Sequence, residues 1–226
     1  MRATREFFRN LKELPRHEML APGSPLCAGC GGLAALRLML NVLGPNVIVV
    51  NAAGCLTLMA VYPFTPMRGS WLYTTMASAP AGAQGVRDAL DVLMAKGRMP
   101  PEEDLKVVVL AGDGSSADIG LSSTSGAIHR GLDFYYLCYD NEAYGNTGFQ
   151  MSSTSPFGSQ TATSPVTAVR RGSPDPATHG DLQSSKWLGQ ETGHNTVGTL
   201  QNKKDLFEIW RAHRPPYLAT LSTADP

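Results

Sequence analysis

The chain has 226 residues, 42% of them hydrophobic, which is enough for one full-sized core and short for two domains. Lys plus Arg and Asp plus Glu are equal at 19, so the formal net charge is zero, and a nucleic-acid binder built on clustered positive charge is excluded. No apolar run reaches the ~20 residues of a membrane helix and the N-terminus lacks the apolar stretch of a secretory signal, so we expect no membrane span and a cytoplasmic protein.

Residues 1–26 read as an N-terminal arm. Its first part is basic (Arg2, Arg5, Arg9, Lys12, Arg16) and is expected to be solvated, and it ends in a Pro/Gly turn at Pro22, Gly23 and Pro25. Residues 33–43 are apolar at helical spacing and stop at Gly44-Pro45. Residues 47–50 form a β-branched run, read as a buried parallel strand leading into Asn51-Ala52-Ala53-Gly54-Cys55. Residues 61–80 have no period and read as loop. Residues 84–96 are amphipathic and close at Gly97. Residues 106–111 are a second buried strand, 119–129 a helix and 133–139 a third strand. Residues 150–200 are rich in Ser, Thr, Gly and Pro, and a loop of that length is normally functional or disordered. A short helix over 203–210 and a final strand over 216–221 complete the chain. Strands alternating with helices imply an α/β fold, an open and mostly parallel sheet with helices on both faces. We expect one domain over 27–226, with an insertion at about 166–197.

The first chemical signal is Gly112-Asp113-Gly114, where a buried strand ends and a helix soon begins. Ligands of open α/β sheets bind beyond the carboxyl ends of the strands. Glycines let a phosphate approach the backbone, and a helix N-terminus offers free N–H groups. An aspartate there would repel a bare pyrophosphate, so it calls for a bridging divalent cation. Mg²⁺ wants several oxygen ligands and shares them with phosphates. The next strand ends at Asp140-Asn141-Glu142-Ala143, which brings Asn141 to the same sheet edge as Asp113. Its amide oxygen and a carbonyl near Ala143 complete the set.

The second signal is cysteine spacing. Cys27 and Cys30 form a CxxC, and Cys55 follows after one helix and one strand. Thiolates at this density suit an Fe–S cluster or zinc, and a CxxC can also be a redox pair. Cys138, inside the third strand, reads as a small core residue. His129, His179, His194 and His213 read as surface or capping residues.

Together these residues resemble the beta subunit of 2-oxoacid:ferredoxin oxidoreductases. The strand, Gly-Asp-Gly, helix, strand, Asp-Asn order is similar to the pyrophosphate domain of the thiamine-diphosphate-binding fold. Tyr144-Gly145-Asn146-Thr147-Gly148 is similar to the family's tyrosine-to-NTG stretch, and Ala-Gly-Cys-Gly-Gly around Cys30 and Ala-Gly-Cys around Cys55 match its cluster cysteines. The resemblance covers residues 20–165 well and 198–226 more loosely. It implies thiamine diphosphate held by Gly54, Cys55, Gly112, Asp113, Gly114, Ser115, Asn141, Ala143, Tyr144, Asn146 and Thr147. Within that set it implies Mg²⁺ on Asp113, Asn141 and Ala143, Asn146 as the catalytic residue facing the reacting carbon, and Thr147 near the diphosphate. It further implies a [4Fe–4S] cluster on Cys27, Cys30 and Cys55.

The implied activity is oxidative decarboxylation of a 2-oxoacid, pyruvate by default, to an acyl-CoA and CO₂, with electrons passing to ferredoxin. The implied partners are an alpha subunit carrying the pyrimidine-side domain and its glutamate, a gamma subunit and a ferredoxin-like delta subunit. Coenzyme A and the 2-oxoacid are the substrates. The sequence departs from the family in two places. It holds no counterpart of the family's fourth ligand, a Cys-Pro near the end of a longer chain, and it has Ser24 where relatives often have a histidine. A non-redox thiamine decarboxylase subunit and a zinc-stapled, non-catalytic subunit stay open as alternatives. The side chains Tyr62, Phe64, Met67 and Trp71 either line an apolar substrate pocket or belong to the core or a subunit interface.

Overall fold

The computed structural model describes residues 11–16, 18–60, 63, 65–101, 105–164, 167–168, 196–199 and 201–224. Its centre is a four-stranded parallel sheet in the order β2-β1-β3-β4, formed by β1 (Val47–Ala52), β2 (Ser70–Thr74), β3 (Lys106–Gly112) and β4 (Tyr135–Tyr139). The two inner strands carry the β-branched runs read from the sequence. They pair in register from Val47 opposite Lys106 to Asn51 opposite Leu110. Strands buried on both faces read as continuous apolar runs, because alternate residues point to opposite sides and both sides are covered.

One face is covered by α1 (Gly31–Leu43), which buries Leu36 and Leu40, one turn apart, against Val47, Val49, Val108 and Leu110. The opposite face is covered by α2 (Ala79–Ala95), whose Ala79 and Ala83 pack on Val50, Val107, Val109 and Ala111. Small side chains there let the helix lie close to the sheet. Arg87, on the same stripe and 6% exposed, is satisfied by two bonds to Asp91 Oδ1 at 3.0 and 2.6 Å and one to the Leu105 carbonyl at 3.3 Å.

Several expectations change. Residues 61–80 are not all loop, because β2 lies within them and α2 starts before residue 84. Strand β2 is an edge strand with an irregular burial pattern, so it shows no alternation. Helix α2 carries Pro80 in its first turn, where a missing N–H costs nothing. The helix expected over 119–129 is present as α3 (Leu121–Arg130), and an unexpected π-helix, Gly114–Ile119, precedes it. Helix α4 (Leu206–Arg211) begins later than 203 because Asp205 caps it, accepting from the Glu208 N–H at 3.0 Å. Residues 216–221 form no strand.

The arm is not free along its whole length. Met19 and Leu20 are buried in the α1-side core, and this stretch pairs with residues 66–68 through Ala21 N–H to Pro66 O at 2.7 Å and Arg68 N–H to Met19 O at 3.0 Å. Residues 1–10 lie outside the described ones. Of the insertion, only its base is described, where β5 (Thr167–Ala168) pairs antiparallel with β6 (Thr196–Val197). His179 and His194 lie outside the described residues. His213 links α4 to α3, with Nε2 2.8 Å from Ser125 Oγ and Nδ1 2.9 Å from the Ile209 carbonyl. Among the described residues, no helix is long and apolar enough to cross a membrane.

Candidate functional site

The strand order fixes where a ligand can sit. Strand β2 lies on one side of β1, and the chain then returns to place β3 on the other, so connections leave β1 and β3 in opposite directions. The carboxyl ends of these two strands therefore open a crevice. That crevice is lined by Ala53, Gly54 and Cys55 after β1, by Gly112, Asp113, Gly114 and Ser115 after β3, and by Tyr139, Asn141, Ala143, Tyr144, Gly145, Asn146 and Thr147 at and after β4, with Met76 on its wall. Every cofactor-binding residue expected from the sequence is in this lining. Met76 and Tyr139 are additions that lie in no motif, and Ala53 and Gly145 are additions from inside the Ala-Gly-Cys and tyrosine-to-NTG stretches.

Asp113 is 1% exposed and opens the π-helix, whose first backbone N–H groups have no partner within the helix. Its Oδ2 accepts from the Ser152 hydroxyl and lies 3.0 Å from Thr154 Oγ1. Burial pushes its carboxyl above the usual range, the two hydroxyls oppose this, and nearby Asp140 adds to the rise. Its Oδ1 points the other way. There the side-chain amide of Asn141 lies 2.8 Å from Asp113 Oδ1 and 2.8 Å from the Ala143 carbonyl oxygen, and with its NH2 turned inward it donates to both.

With the amide oxygen inward instead, three oxygens face one another and repel unless a cation sits among them. Oxygens at neighbouring corners of an octahedral Mg²⁺ site, each about 2.0–2.1 Å from the metal, lie about 2.9 Å apart. The two 2.8 Å separations match that spacing, so with the amide oxygen inward the donor set would suit a hard divalent ion. Backbone strain helps build it. Glu142, between Asn141 and Ala143, has φ +63°, a conformation that non-glycine residues rarely adopt, and its N–H is held by Asp140 Oδ1 at 3.0 Å.

The glycines of the motif have a steric reason as well. A Cβ on Gly114 would lie 2.3 Å from the Tyr144 ring. Tyr144 packs there and places its hydroxyl 3.1 Å from Asp118 Oδ2 and 3.3 Å from the Gly114 carbonyl. Burial, then Asp118, push the Tyr144 phenol upward, so it stays a donor. Asp118 sits lower than usual. Burial would raise it, but bonds from Ser153, Lys204 and Tyr144 outweigh that effect. The Ser115 hydroxyl donates to the Met76 carbonyl and so is not turned into the crevice. The Thr147 hydroxyl contacts Gln150 Oε1 and the Tyr144 carbonyl. Asn146 is exposed on the crevice rim.

The cysteines divide. Cys55 lines the crevice, with Asn141 Nδ2 3.6 Å from its Sγ, and the Asn146 backbone N–H is directed at the same sulfur. Burial raises its thiol, and the proximity of Cys30 and Cys27 raises it further. Cys27 and Cys30 are outside the crevice. They form a tight turn closed by Cys30 N–H to Cys27 O at 3.1 Å, with Gly29 at φ +74°, immediately before α1. Among the described residues no three His, Cys, Asp or Glu side chains gather closely enough to hold a metal. Cys138 is half-buried in β4 and pushed up to about 12 by desolvation, which suits an inert thiol. Met67 and Trp71 pack on the α1-side core instead of lining the crevice. Tyr62 and Phe64 lie outside the described residues.

Residues 52–181 match the model of the thiamine pyrophosphate enzyme C-terminal TPP binding domain, and the chain belongs to that family. More particularly, it is similar to pyruvate synthase subunit PorB of Methanothermobacter thermautotrophicus, 40% identical over 215 residues, which cover 95% of this chain and 63% of that one. It is also similar to ketoisovalerate oxidoreductase subunit VorB of Pyrococcus horikoshii, 35% identical over 214 residues, covering 94% of this chain and 60% of that one. The resemblance to 2-oxoacid:ferredoxin oxidoreductase beta subunits thus holds along nearly the whole chain, which spans about 63% of the length of its PorB relative. In structure it resembles a 2-oxoglutarate:ferredoxin oxidoreductase from Magnetococcus marinus solved with 2-oxoglutarate, coenzyme A and succinyl-CoA. The TM-score is 0.50 at 22% identity over 72% of this chain and 52% of that one, a likeness that shows the fold.

Proposed function

We propose that this chain is the thiamine-diphosphate-binding part of the beta subunit of a 2-oxoacid:ferredoxin oxidoreductase, with pyruvate as substrate and an acyl-CoA and CO₂ as products. The observation that carries the reading is the convergence of Asp113 Oδ1, the Asn141 side-chain amide and the Ala143 carbonyl at the switch point of the sheet. These oxygens would hold Mg²⁺, and Gly112, Gly114 and the first N–H groups of the π-helix would receive the diphosphate. Thiamine diphosphate supplies, when bound, a carbon nucleophile for the 2-oxo group and an electron sink for loss of CO₂. The chain's own part is to anchor and orient the cofactor, with Asn146 at the open rim toward the reacting carbon and Met76 and Ala53 excluding water from the wall.

Cys27, Cys30 and Cys55 are the soft donors for a [4Fe–4S] cluster beside the cofactor. Cys55 already faces the crevice, while the CxxC turn would close in and a fourth ligand would come from elsewhere. Such a cluster, when bound, would supply one-electron transfer toward ferredoxin. Pyruvate is the default by resemblance to PorB, and a branched 2-oxoacid is the alternative, since PorB and VorB of Pyrococcus horikoshii are each 35% identical to this chain. The exposed rim fits an active site completed by an alpha subunit, in a cytoplasmic complex that also holds gamma and ferredoxin-like delta subunits. The insertion at about 166–197 belongs to the same single domain.

Calorimetry of the chain with thiamine diphosphate tests this reading. Saturable binding in Mg²⁺ that disappears with EDTA is expected, and no binding under either condition would sink it. Counting iron and zinc on anaerobically purified protein separates the redox reading from its rivals. Iron with a spin-half signal after dithionite is expected, and its absence would leave a non-redox or zinc-holding thiamine subunit.

A further inference from the structure

The Ser/Thr-rich segment that begins at residue 150 has no role in the reading so far, yet its first turn is among the most buried polar structure in the chain. Ser152, Thr154 and Ser155 are 2%, 0% and 2% exposed. Buried hydroxyls keep their place only with partners, and the partners here are specific. The Ser152 hydroxyl donates to Asp113 Oδ2. Thr154 Oγ1 lies 3.0 Å from the same oxygen and 2.9 Å from Asp140 Oδ1. The Ser155 hydroxyl donates to the Glu142 carbonyl at 2.6 Å and accepts from the Ser152 N–H at 3.0 Å. Lys203 closes the far side, 2.6 Å from Glu142 Oε1 and 3.4 Å from Asp140 Oδ2.

We propose that residues 152–155 are a hydroxyl clamp that aims all three cation-binding oxygens, a role that rests on the cofactor reading above. A carboxylate has two oxygens and can swing about its bond to Cβ. Hydroxyls on Oδ2 occupy one oxygen and leave Oδ1 directed at Asn141 and Ala143. The bond from Ser155 holds the Glu142 carbonyl, and with it the left-handed turn that points the Asn141 amide and the Ala143 carbonyl inward. One turn therefore fixes both arms of the site, which come from different strands. None of its residues lines the crevice, so each acts through another group and is a positioning residue. Outer partners of this kind, when removed, weaken metal binding by about 10–100-fold.

The test uses the full chain with Mn²⁺ as the probe, its binding followed by the EPR signal of free Mn²⁺ in saturating thiamine diphosphate. Ser152→Ala and Thr154→Val are each expected to weaken Mn²⁺ binding at least about tenfold. Thr154→Ser, which keeps the hydroxyl and drops the methyl, should stay near wild type, whereas a role in packing alone would make Thr154→Ser the more damaging change and Thr154→Val the milder one. If Thr154→Val does not fold, Ser152→Ala and the Thr154→Ser comparison decide. Wild-type Mn²⁺ affinity in both Ser152→Ala and Thr154→Val, alongside its loss in Asp113→Ala, would overturn the clamp and leave the cofactor reading intact. If the wild-type chain takes up no Mn²⁺ with thiamine diphosphate, the cofactor reading fails and the clamp goes with it.

Discussion

At the scale of single residues, the site depends on side chains with one geometric task each. Asp113 is the charged member of the oxygen triad, and its second oxygen is already taken by hydroxyls. Asp113→Ala should weaken thiamine diphosphate binding in Mg²⁺ by at least about 100-fold, measured by calorimetry, with little change in the Mg²⁺-free protein. Gly114→Ala tests a different property. The added methyl would meet the Tyr144 ring at 2.3 Å, so the ring must leave its bond to Asp118. A loss of about 1–3 kcal/mol in urea unfolding is expected, and an unchanged midpoint would show that the ring yields freely. The Gly-Asp-Gly motif was legible because both glycines and the acid are adjacent in sequence. The place of Tyr139 beside Gly54 and Gly112 was not, because that contact joins three strand ends.

At the scale of elements, the π-helix and the segment around Lys204 form one unit. Lys204 Nζ donates to the Ala117 carbonyl at 2.7 Å and lies 3.2 Å from Asp118 Oδ1, while the Ser153 N–H bonds Asp118 Oδ2 at 3.1 Å. The Asp118 carboxyl is held below its ordinary value of 3.8, so between that value and its folded one the unfolded chain binds more protons. The stabilisation is therefore complete above the ordinary value and is lost as pH falls through the folded one. Asp118→Asn should cost about 1.5–3 kcal/mol at neutral pH, and its deficit against wild type should vanish in strong acid. A deficit that persists unchanged in acid-unfolding curves would contradict the ion pair. This unit was hidden from sequence because Ser115, Ser116 and Ala117 give no helical apolar stripe. They are buried by what lies over them.

At the scale of the whole molecule, the two covered faces of the sheet supply the core. Leu110 is fully buried between α1 and the sheet, and Leu110→Ala should cost about 2–5 kcal/mol in chemical denaturation, enough to endanger a domain of this size. The cysteines also belong to this scale, since they come from the start of α1 and the end of β1. Cys55→Ser should lower the iron retained by anaerobically reconstituted protein, read by metal analysis and EPR. Full retention would remove Cys55 from the proposed ligand set.

From sequence alone came the parallel α/β class, the inner strands and the Asp113 and Asn141 pairing, because buried strands and glycine turns are written in local composition, while most other crevice residues came from the family resemblance. Tertiary structure alone decided the strand order, the edge strand β2, the anchoring of Met19 and Leu20, and the hydroxyl clamp at 152–155. An edge strand has only one neighbour to show itself by, and a serine is a surface residue or a buried donor according to what the chain folds against it.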